Sequence, residues 1–140
     1  FFILLRQITK GKHLMNFSRL LKTIFLVEDD KLNMKLLNDL LQRNGYDTVQ
    51  SADGCDFLRM VRDKKPDLIL MDIRLRDVSG LDLTRMLKKD ENLKTIPVVA
   101  VTALAQKHDK IKIQESGCDG YISKPVSIQE LLDTIAEFLR

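Results

Sequence analysis

Four apolar runs in the chain each end in polar side chains that could bind a metal ion or a phosphoryl group. Carboxyl groups follow two of the runs, a hydroxyl the third and an ammonium the fourth, in the order Glu28-Asp29-Asp30, Asp72, Thr102 and Lys124. If these runs are parallel strands of one sheet, their carboxyl ends meet at the edge where such sheets bind ligands. Carboxylates, a hydroxyl and an ammonium in one crevice would suit a metal ion beside a phosphoryl group.

The acidic members of this set favour a hard divalent cation. Carboxylates that share a crevice raise each other's pKa values unless a cation joins them. Mg²⁺ is suitable because it prefers oxygen ligands and is usually held by one or two carboxylates with water and phosphate. No His or Cys lies near these positions to indicate zinc. Singly, each residue is also explained as a helix cap or a solvated side chain, so the prediction depends on the combination.

An alternation of strand-like and helix-like patterns from Thr23 onward would place these residues together. Short apolar runs predict strands at 23–27, 46–51, 68–71, 97–101 and 120–123. Apolar residues spaced by three and four predict a helix after each strand, with a poor apolar pattern in the fourth, at 104–116. We therefore predict an α/β fold: a doubly wound, five-stranded parallel sheet with helices on both faces, in three α/β/α layers.

The net charge of +3 on the 140 residues comes from the leading segment. Residues 1–22 hold five of the 23 basic residues and no acidic one, so residues 23–140 carry 18 basic and 20 acidic residues, a net of −2. We predict one domain at 23–140, preceded at 1–22 by an N-terminal extension that is either flexible or an artefact of the assigned start site. An amphipathic or basic tether is the alternative for the extension, since a basic tail could touch nucleic acid or anionic lipid.

The composition excludes several functional classes. The body has no basic stripe interleaved with aromatic residues, so we expect no direct contact with nucleic acid. The apolar run at 1–5 is too short for a signal peptide core or a membrane span, so we expect no stable membrane insertion. Cys55 and Cys118 fit neither a secreted disulfide framework nor a zinc signature, which favours reduced thiols in a cytoplasmic protein.

From Thr23 to the C-terminus, about five-sixths of its length, the chain resembles the receiver domain of two-component response regulators. The matching signatures, in order, are Val27-Glu28-Asp29-Asp30, Pro66-Asp67-Leu68-Ile69-Leu70-Met71-Asp72, Ser79-Gly80, Pro97-Val98-Val99-Ala100-Val101-Thr102-Ala103 and Gly120-Tyr121-Ile122-Ser123-Lys124-Pro125. As an ordered set these signatures are highly specific. The resemblance implies a (βα)5 flavodoxin-like receiver fold.

The resemblance also implies a role for each matching residue. Asp72 would be the phosphoacceptor, and Mg²⁺ would be held by Glu28, Asp29, Asp72 and the backbone carbonyl of Arg74. Lys124 would pair with Asp72 and then with the phosphoryl group, and the Lys124-Pro125 bond would be cis. Thr102 would bind a phosphoryl oxygen, and Tyr121 would be the aromatic residue of the switch.

The implied function is that of a phosphoacceptor in a phosphorelay. A histidine kinase or a phosphotransfer protein would donate the phosphoryl group, and the protein would catalyse only its own phosphorylation and dephosphorylation. No output domain follows Arg140, so we expect output through contact of the fourth helix, fifth strand and fifth helix with a kinase, a phosphatase or an adaptor. The alternative is a receiver excised from a hybrid kinase or a larger regulator.

The chain departs from the usual receiver pattern at one position. Arg76 stands where the family often has a Pro four residues after the phosphoacceptor, so we expect a more mobile loop there. Arg74 and Leu104 occupy the two variable positions that flank the pocket, where side chains affect the access of water to an acyl phosphate.

Other functional classes fit the sequence less well. A metal-dependent aspartyl phosphohydrolase usually needs a second Asp two residues after the nucleophile, where this chain has Arg74. A flavin-binding protein would need a phosphate-binding loop after the first strand, where Glu28-Asp29-Asp30 would repel phosphate. A receiver-like adaptor that works without phosphorylation is disfavoured because Asp72, Thr102 and Lys124 are all present.

Overall fold

The computed structural model describes residues 21–103 and 106–140, in which five strands alternate with five helices. In chain order these are β1 (Thr23–Val27), α1 (Lys31–Arg43), β2 (Asp47–Ser51), α2 (Phe57–Lys64), β3 (Leu68–Asp72), α3 (Gly80–Lys89), β4 (Val98–Thr102), α4 (Lys107–Glu115), β5 (Gly120–Ser123) and α5 (Ile128–Phe138). The predictions for residues 1–20 and for Leu104 lie outside the described residues. Within the described part of the chain, no helix is long and apolar enough to cross a membrane.

All five strands lie parallel in one sheet with the order β2-β1-β3-β4-β5. This order confirms the prediction of a doubly wound parallel sheet. Two predicted boundaries were one residue short, because Asp72 pairs with Val101 and Thr102 pairs with Ser123 as the last residues of β3 and β4. Both side chains are therefore fixed by a strand and not by a loop.

Two hydrophobic cores lie on opposite faces of the sheet, because successive strand residues point to opposite sides. One core joins alternate strand residues to Phe57 and Val61 of α2, Leu83 and Leu87 of α3, and Ile113 of α4. The other joins the intervening strand residues to Met34 and Leu41 of α1, and to Leu131 and Ile135 of α5. The predicted three α/β/α layers are thus confirmed, with α2, α3 and α4 on one face and α1 and α5 on the other.

Side-chain caps start three of the helices at the carboxyl edge of the sheet. The predicted cap Asp30 accepts a hydrogen bond from Asn33 N at 2.9 Å, Ser79 Oγ accepts one from Leu81 N at 3.2 Å, and Ser127 Oγ accepts one from Glu130 N at 3.4 Å. Such caps contribute about 1 kcal/mol each. They also fix where the chain turns from strand to helix, which is where the candidate site lies.

An open apolar groove of about 870 Å³ lies between α1 and the start of α5. Leu36 of α1 is 61% exposed and Ile128 of α5 is 60% exposed, although the spacing of apolar residues by three and four puts both on the apolar side of their helices. The same groove is lined at one end by Glu28 and Lys124. We call this feature the α1–α5 groove; it connects an exposed apolar surface to the carboxyl edge of the sheet.

Few side chains hold α4 against the sheet. Ile113 is its buried residue, whereas Ile111 is 47% exposed. At its start, Gln106 N donates a hydrogen bond to Asp109 Oδ2 at 3.3 Å. The weak apolar pattern of the sequence is confirmed by this shallow packing, which leaves most of the helix surface exposed.

Candidate functional site

The carboxyl edge of the sheet brings three acidic side chains together. Glu28 directly follows β1, Asp29 comes next, and Asp72 ends the central strand β3. Each offers a carboxylate oxygen, and these atoms all lie within 4.8 Å of one another. Glu28 and Asp72 are buried and Asp29 is half-buried, so the three form a semi-enclosed acidic cluster.

Lys124 faces this acidic cluster from the neighbouring end of β5. Its Nζ lies 3.2 Å from Glu28 Oε1 and 3.5 Å from Asp72 Oδ2. The backbone is held by a 2.8 Å hydrogen bond from Lys124 N to Thr102 O, and the following bond to Pro125 is cis, as expected. One ammonium therefore bridges carboxylates from two strands that are not sequence neighbours.

Glu28 is in a poor environment for a negative charge. It is 3% exposed, and its Oε2 has no hydrogen-bond partner among the described residues. Burial, reinforced by the neighbouring Asp72 carboxyl group and only partly offset by Lys124, raises the pKa of Glu28 to about 7. The Glu28 Oε2 atom is buried without a hydrogen-bond partner among the described residues, and two more carboxylates lie beside it. Such a set of oxygen atoms is suited to bind a hard cation.

The charge of Lys124 is secured by the same carboxyl groups. Burial alone would lower the pKa of Lys124, but the nearby charges of Asp72 and Glu28 outweigh burial and raise it. The ammonium therefore stays charged at neutral pH. A fixed positive charge next to Asp72 suits the stabilisation of an anionic group bound to that carboxylate.

The backbone around Asp72 is held tightly by the start of α3. Asp72 Oδ1 accepts a hydrogen bond from Arg74 N at 3.1 Å, and Gly80 N donates to Ile73 O at 2.9 Å. A Cβ atom at Gly80 would overlap the Asp72 carbonyl oxygen. Ser79-Gly80 was one of the matching signatures in the sequence, but this close approach was not predicted, and a Ser-Gly pair before a helix was the only signal for it.

Thr102 and Tyr121 lie in different environments. Thr102 is 1% exposed at the end of β4, next to β3 in the sheet. Tyr121 is 39% exposed on the edge strand β5, where it pairs with Ala100, two residues before Thr102. Lys110 Nζ lies 5.4 Å from the centroid of the Tyr121 ring, a contact that the sequence analysis did not predict.

The arginines that follow Asp72 lie at the surface. Arg74 and Arg76 are both exposed, and Arg76 lines an open pocket of about 380 Å³ with Asp29, Asp30 and Asp53. The metal-binding role of the Arg74 carbonyl stays a prediction. What the structure adds is that the Arg74 peptide contacts Asp72 through its N–H.

Comparisons with known proteins give one family. The family model described as "Response regulator receiver domain" matches residues 24–136. The chain is 48% identical over 118 residues to the polar-differentiation response regulator DivK of Brucella anthropi, which covers 84% of this chain and 96% of that protein. The DivK protein of Brucella ovis is 49% identical over the same coverage.

Solved structures give the same result. A putative response regulator from Chloroflexus aurantiacus matches with a TM-score of 0.81 and 28% identity, over 85% of this chain and 98% of that one. The receiver domain of a sensor histidine kinase from Pseudomonas aeruginosa, which has a magnesium ion coordinated in its active site cleft, matches with a TM-score of 0.79, 31% identity and the same coverage. The fold is thus the CheY-like flavodoxin fold of receivers. With its motifs, sheet order and relatives in agreement, the chain belongs to the response regulator receiver domain family.

Proposed function

We propose that Asp72 accepts a phosphoryl group from a phosphohistidine and that the modified domain presents a changed surface to partner proteins. The observation that carries this proposal is the acidic cluster of Glu28, Asp29 and Asp72 with Lys124 Nζ 3.5 Å from Asp72 Oδ2. The cluster provides a nucleophile, oxygen ligands for a cation and a fixed counter-charge. A receiver domain is a signalling module, and this chemistry would set its state.

The residues at the site fit Mg²⁺. Glu28, Asp29 and Asp72 supply the carboxylate oxygens, with the Arg74 carbonyl as a further ligand, and the unpartnered Glu28 Oε2 supports this assignment. When bound, Mg²⁺ supplies positive charge that neutralises the oxygens of the transferring group. The magnesium ion in the receiver domain from Pseudomonas aeruginosa supports the same cofactor here.

Transfer requires little covalent chemistry from the protein. A carboxylate oxygen of Asp72 attacks the phosphorus in line with the bond to the donor imidazole, so that a P–O bond forms as the P–N bond breaks. The electron pair of the broken bond stays on the imidazole nitrogen, which takes a proton. Lys124 stabilises the growing charge near Asp72, so catalysis consists of positioning and electrostatics. The only substrate of this catalysis is the protein itself.

The acyl phosphate would act as a switch by adding between one and two negative charges to the crevice. The Thr102 hydroxyl then donates a hydrogen bond to a phosphoryl oxygen, and Tyr121 moves toward the space that Thr102 leaves. Thr102 and Tyr121 lie on the adjacent strands β4 and β5, two positions apart in the register, which supports their coupling. The phosphoryl group needs to favour one of the two states by a few kcal/mol to switch the population.

The partners follow from this cycle. A histidine kinase or a phosphotransfer protein donates the phosphoryl group, and a kinase, a phosphatase or an adaptor in the cytoplasm reads the surface of α4, β5 and α5. The shallow packing of α4 supports this choice, because a helix with one buried side chain can rearrange at low cost.

The test is phosphorylation by a small donor. Purified protein incubated with Mg²⁺ and acetyl phosphate should form an adduct that is stable in acid and labile in base, detected as a mass increase. Asp72→Asn should abolish the adduct, whereas Asp77→Asn, an exposed residue of the same loop, should retain it. Labelling that persists in Asp72→Asn would contradict the assignment.

A further inference from the structure

A lysine of the neighbouring helix α4 contacts the ring of Tyr121. Lys110 Nζ lies 5.4 Å from the ring centroid, within the roughly 6 Å limit for a cation–π interaction. Lys110 belongs to α4 and Tyr121 to β5, so this contact joins two elements of the proposed output surface. Within the described residues Lys110 Nζ forms no salt bridge, and its contact is with the Tyr121 ring.

The contact acts where little else restrains the structure. Ile113 is the buried residue of α4, and Tyr121 is 39% exposed, so neither the helix nor the ring is fixed by deep packing. At an exposed site, a cation–π interaction changes an equilibrium by about two- to fivefold. A change of this size matters for two states that differ by only a few kcal/mol.

We propose that Lys110 is a positioning residue that holds the Tyr121 ring outward and thereby favours the unphosphorylated state. This inference rests on the proposed phosphorylation switch and adds a residue that regulates it. An inward movement of the ring away from α4 would break its contact with the ammonium. Removing the ammonium should therefore favour the inward state without altering Asp72, Lys124 or the acidic cluster.

Linkage gives the sign of the effect. A ligand that binds the inward state must first shift the protein from the outward state. If a substitution destabilises the outward state by a given factor, the apparent affinity for that ligand rises by up to the same factor. Beryllium fluoride with Mg²⁺ mimics a phosphoryl group on an aspartate. We expect Lys110→Met to raise the apparent affinity for beryllium fluoride by about two- to fivefold.

The experiment uses fluorotyrosine-labelled protein and ¹⁹F NMR. The chain has two tyrosines, and Tyr46 packs against the core on the opposite face of the sheet, so it serves as an internal reference. Lys110→Met should shift the Tyr121 resonance of the free protein and leave that of Tyr46 unchanged. Lys112→Met, which removes the same charge from the same helix, is the matched control and should change neither the resonance nor the affinity.

A double-mutant cycle separates the ring contact from a general charge effect. In the Tyr121→Leu background, Lys110→Met should no longer change the affinity for beryllium fluoride. In the protein that retains Tyr121, Lys110→Arg should behave like the wild type, because a guanidinium also binds the ring. An unchanged affinity in Lys110→Met, or an equal change without the ring, would overturn the inference. If the wild type itself shows no binding that depends on Asp72, the proposed phosphorylation function fails instead.

Discussion

Glu28 carries most of the electrostatic strain at the site, because it combines deep burial with an oxygen that accepts no hydrogen bond from the described residues. The neighbouring Asp72 carboxyl group adds repulsion, and Lys124 offsets only part of it. A group in this situation either takes up a proton or binds a cation. A proton and a metal ion should therefore compete for the Glu28 carboxylate, and this competition can be measured as a pH dependence of metal affinity.

Mg²⁺ binding should strengthen as the pH rises through about 7, the raised pKa of Glu28, because only the ionised carboxylate binds the metal. Below that value, affinity should fall by up to about tenfold per pH unit, and above it the curve should flatten. Glu28→Gln should weaken binding and remove this pH dependence, whereas Glu91→Gln, with a side chain 82% exposed, should retain it. Calorimetric titration at several pH values measures both effects; an equal slope in Glu28→Gln would contradict this account.

The sequence predicted which chemical groups lie at the ends of the strands, but it did not predict which other side chains contact them. Glu28, Asp29, Asp72 and Lys124 could be placed in one crevice because parallel strands end at one edge. The contact of Lys110 with Tyr121 could not be predicted, because it depends on how α4 lies over β5. The orientation of α4 relative to β5 cannot be read from a single sequence.

At the scale of elements, local sequence patterns predict where strands and helices form. The exposure of individual side chains on a helix depends instead on how that helix packs against the sheet. Asp30 was predictable as a cap, and it caps α1. Leu36 and Ile128 lie on the apolar sides of α1 and α5, but only part of each apolar side contacts the sheet, so both residues stay exposed. The remaining apolar residues line the α1–α5 groove instead of the core.

Gly80→Ala should destabilise the protein by about 1–3 kcal/mol, because the added methyl group overlaps the Asp72 carbonyl oxygen and backbone there cannot move aside freely. The matched control is Gly120→Ala, whose added carbon meets the ring of Phe138 at 3.2 Å, a side chain that can shift. Urea unfolding should show the larger loss for Gly80→Ala. An equal or smaller loss would indicate that α3 is not fixed against β3 as described.

At the scale of the whole molecule, the sheet separates two surfaces that both border the site. The α1–α5 groove lies on one face and reaches Glu28 and Lys124. The helix α4 packs on the other face, next to the edge strand that carries Tyr121. A phosphodonor that contacts α1 and a downstream partner that contacts α4 would then lie on different faces of the sheet, with α5 bordering both surfaces.

If a histidine kinase phosphorylates Asp72 as proposed, Leu36→Glu should slow that reaction by about tenfold or more, because it places a charge in the exposed apolar groove that reaches Glu28 and Lys124. Acetyl phosphate is too small to need the groove, so labelling by it should be unchanged. Ile111→Glu, on the exposed side of α4, is the control and should leave both rates unchanged. Equal slowing with both donors would show damage to the site and would contradict the idea that the kinase docks on the α1–α5 groove.

The division of the core by the sheet has a consequence for how this protein could be rewired. Side chains of α1 and of α4 pack into separate cores, so substitutions on one helix do not share neighbours with substitutions on the other. Energetic effects of such distant changes are usually additive. If substitutions avoid α5, which borders both surfaces, donor choice at α1 and response at α4 could then be engineered independently, and a library of α1 variants could yield orthogonal signalling pairs that keep the original output.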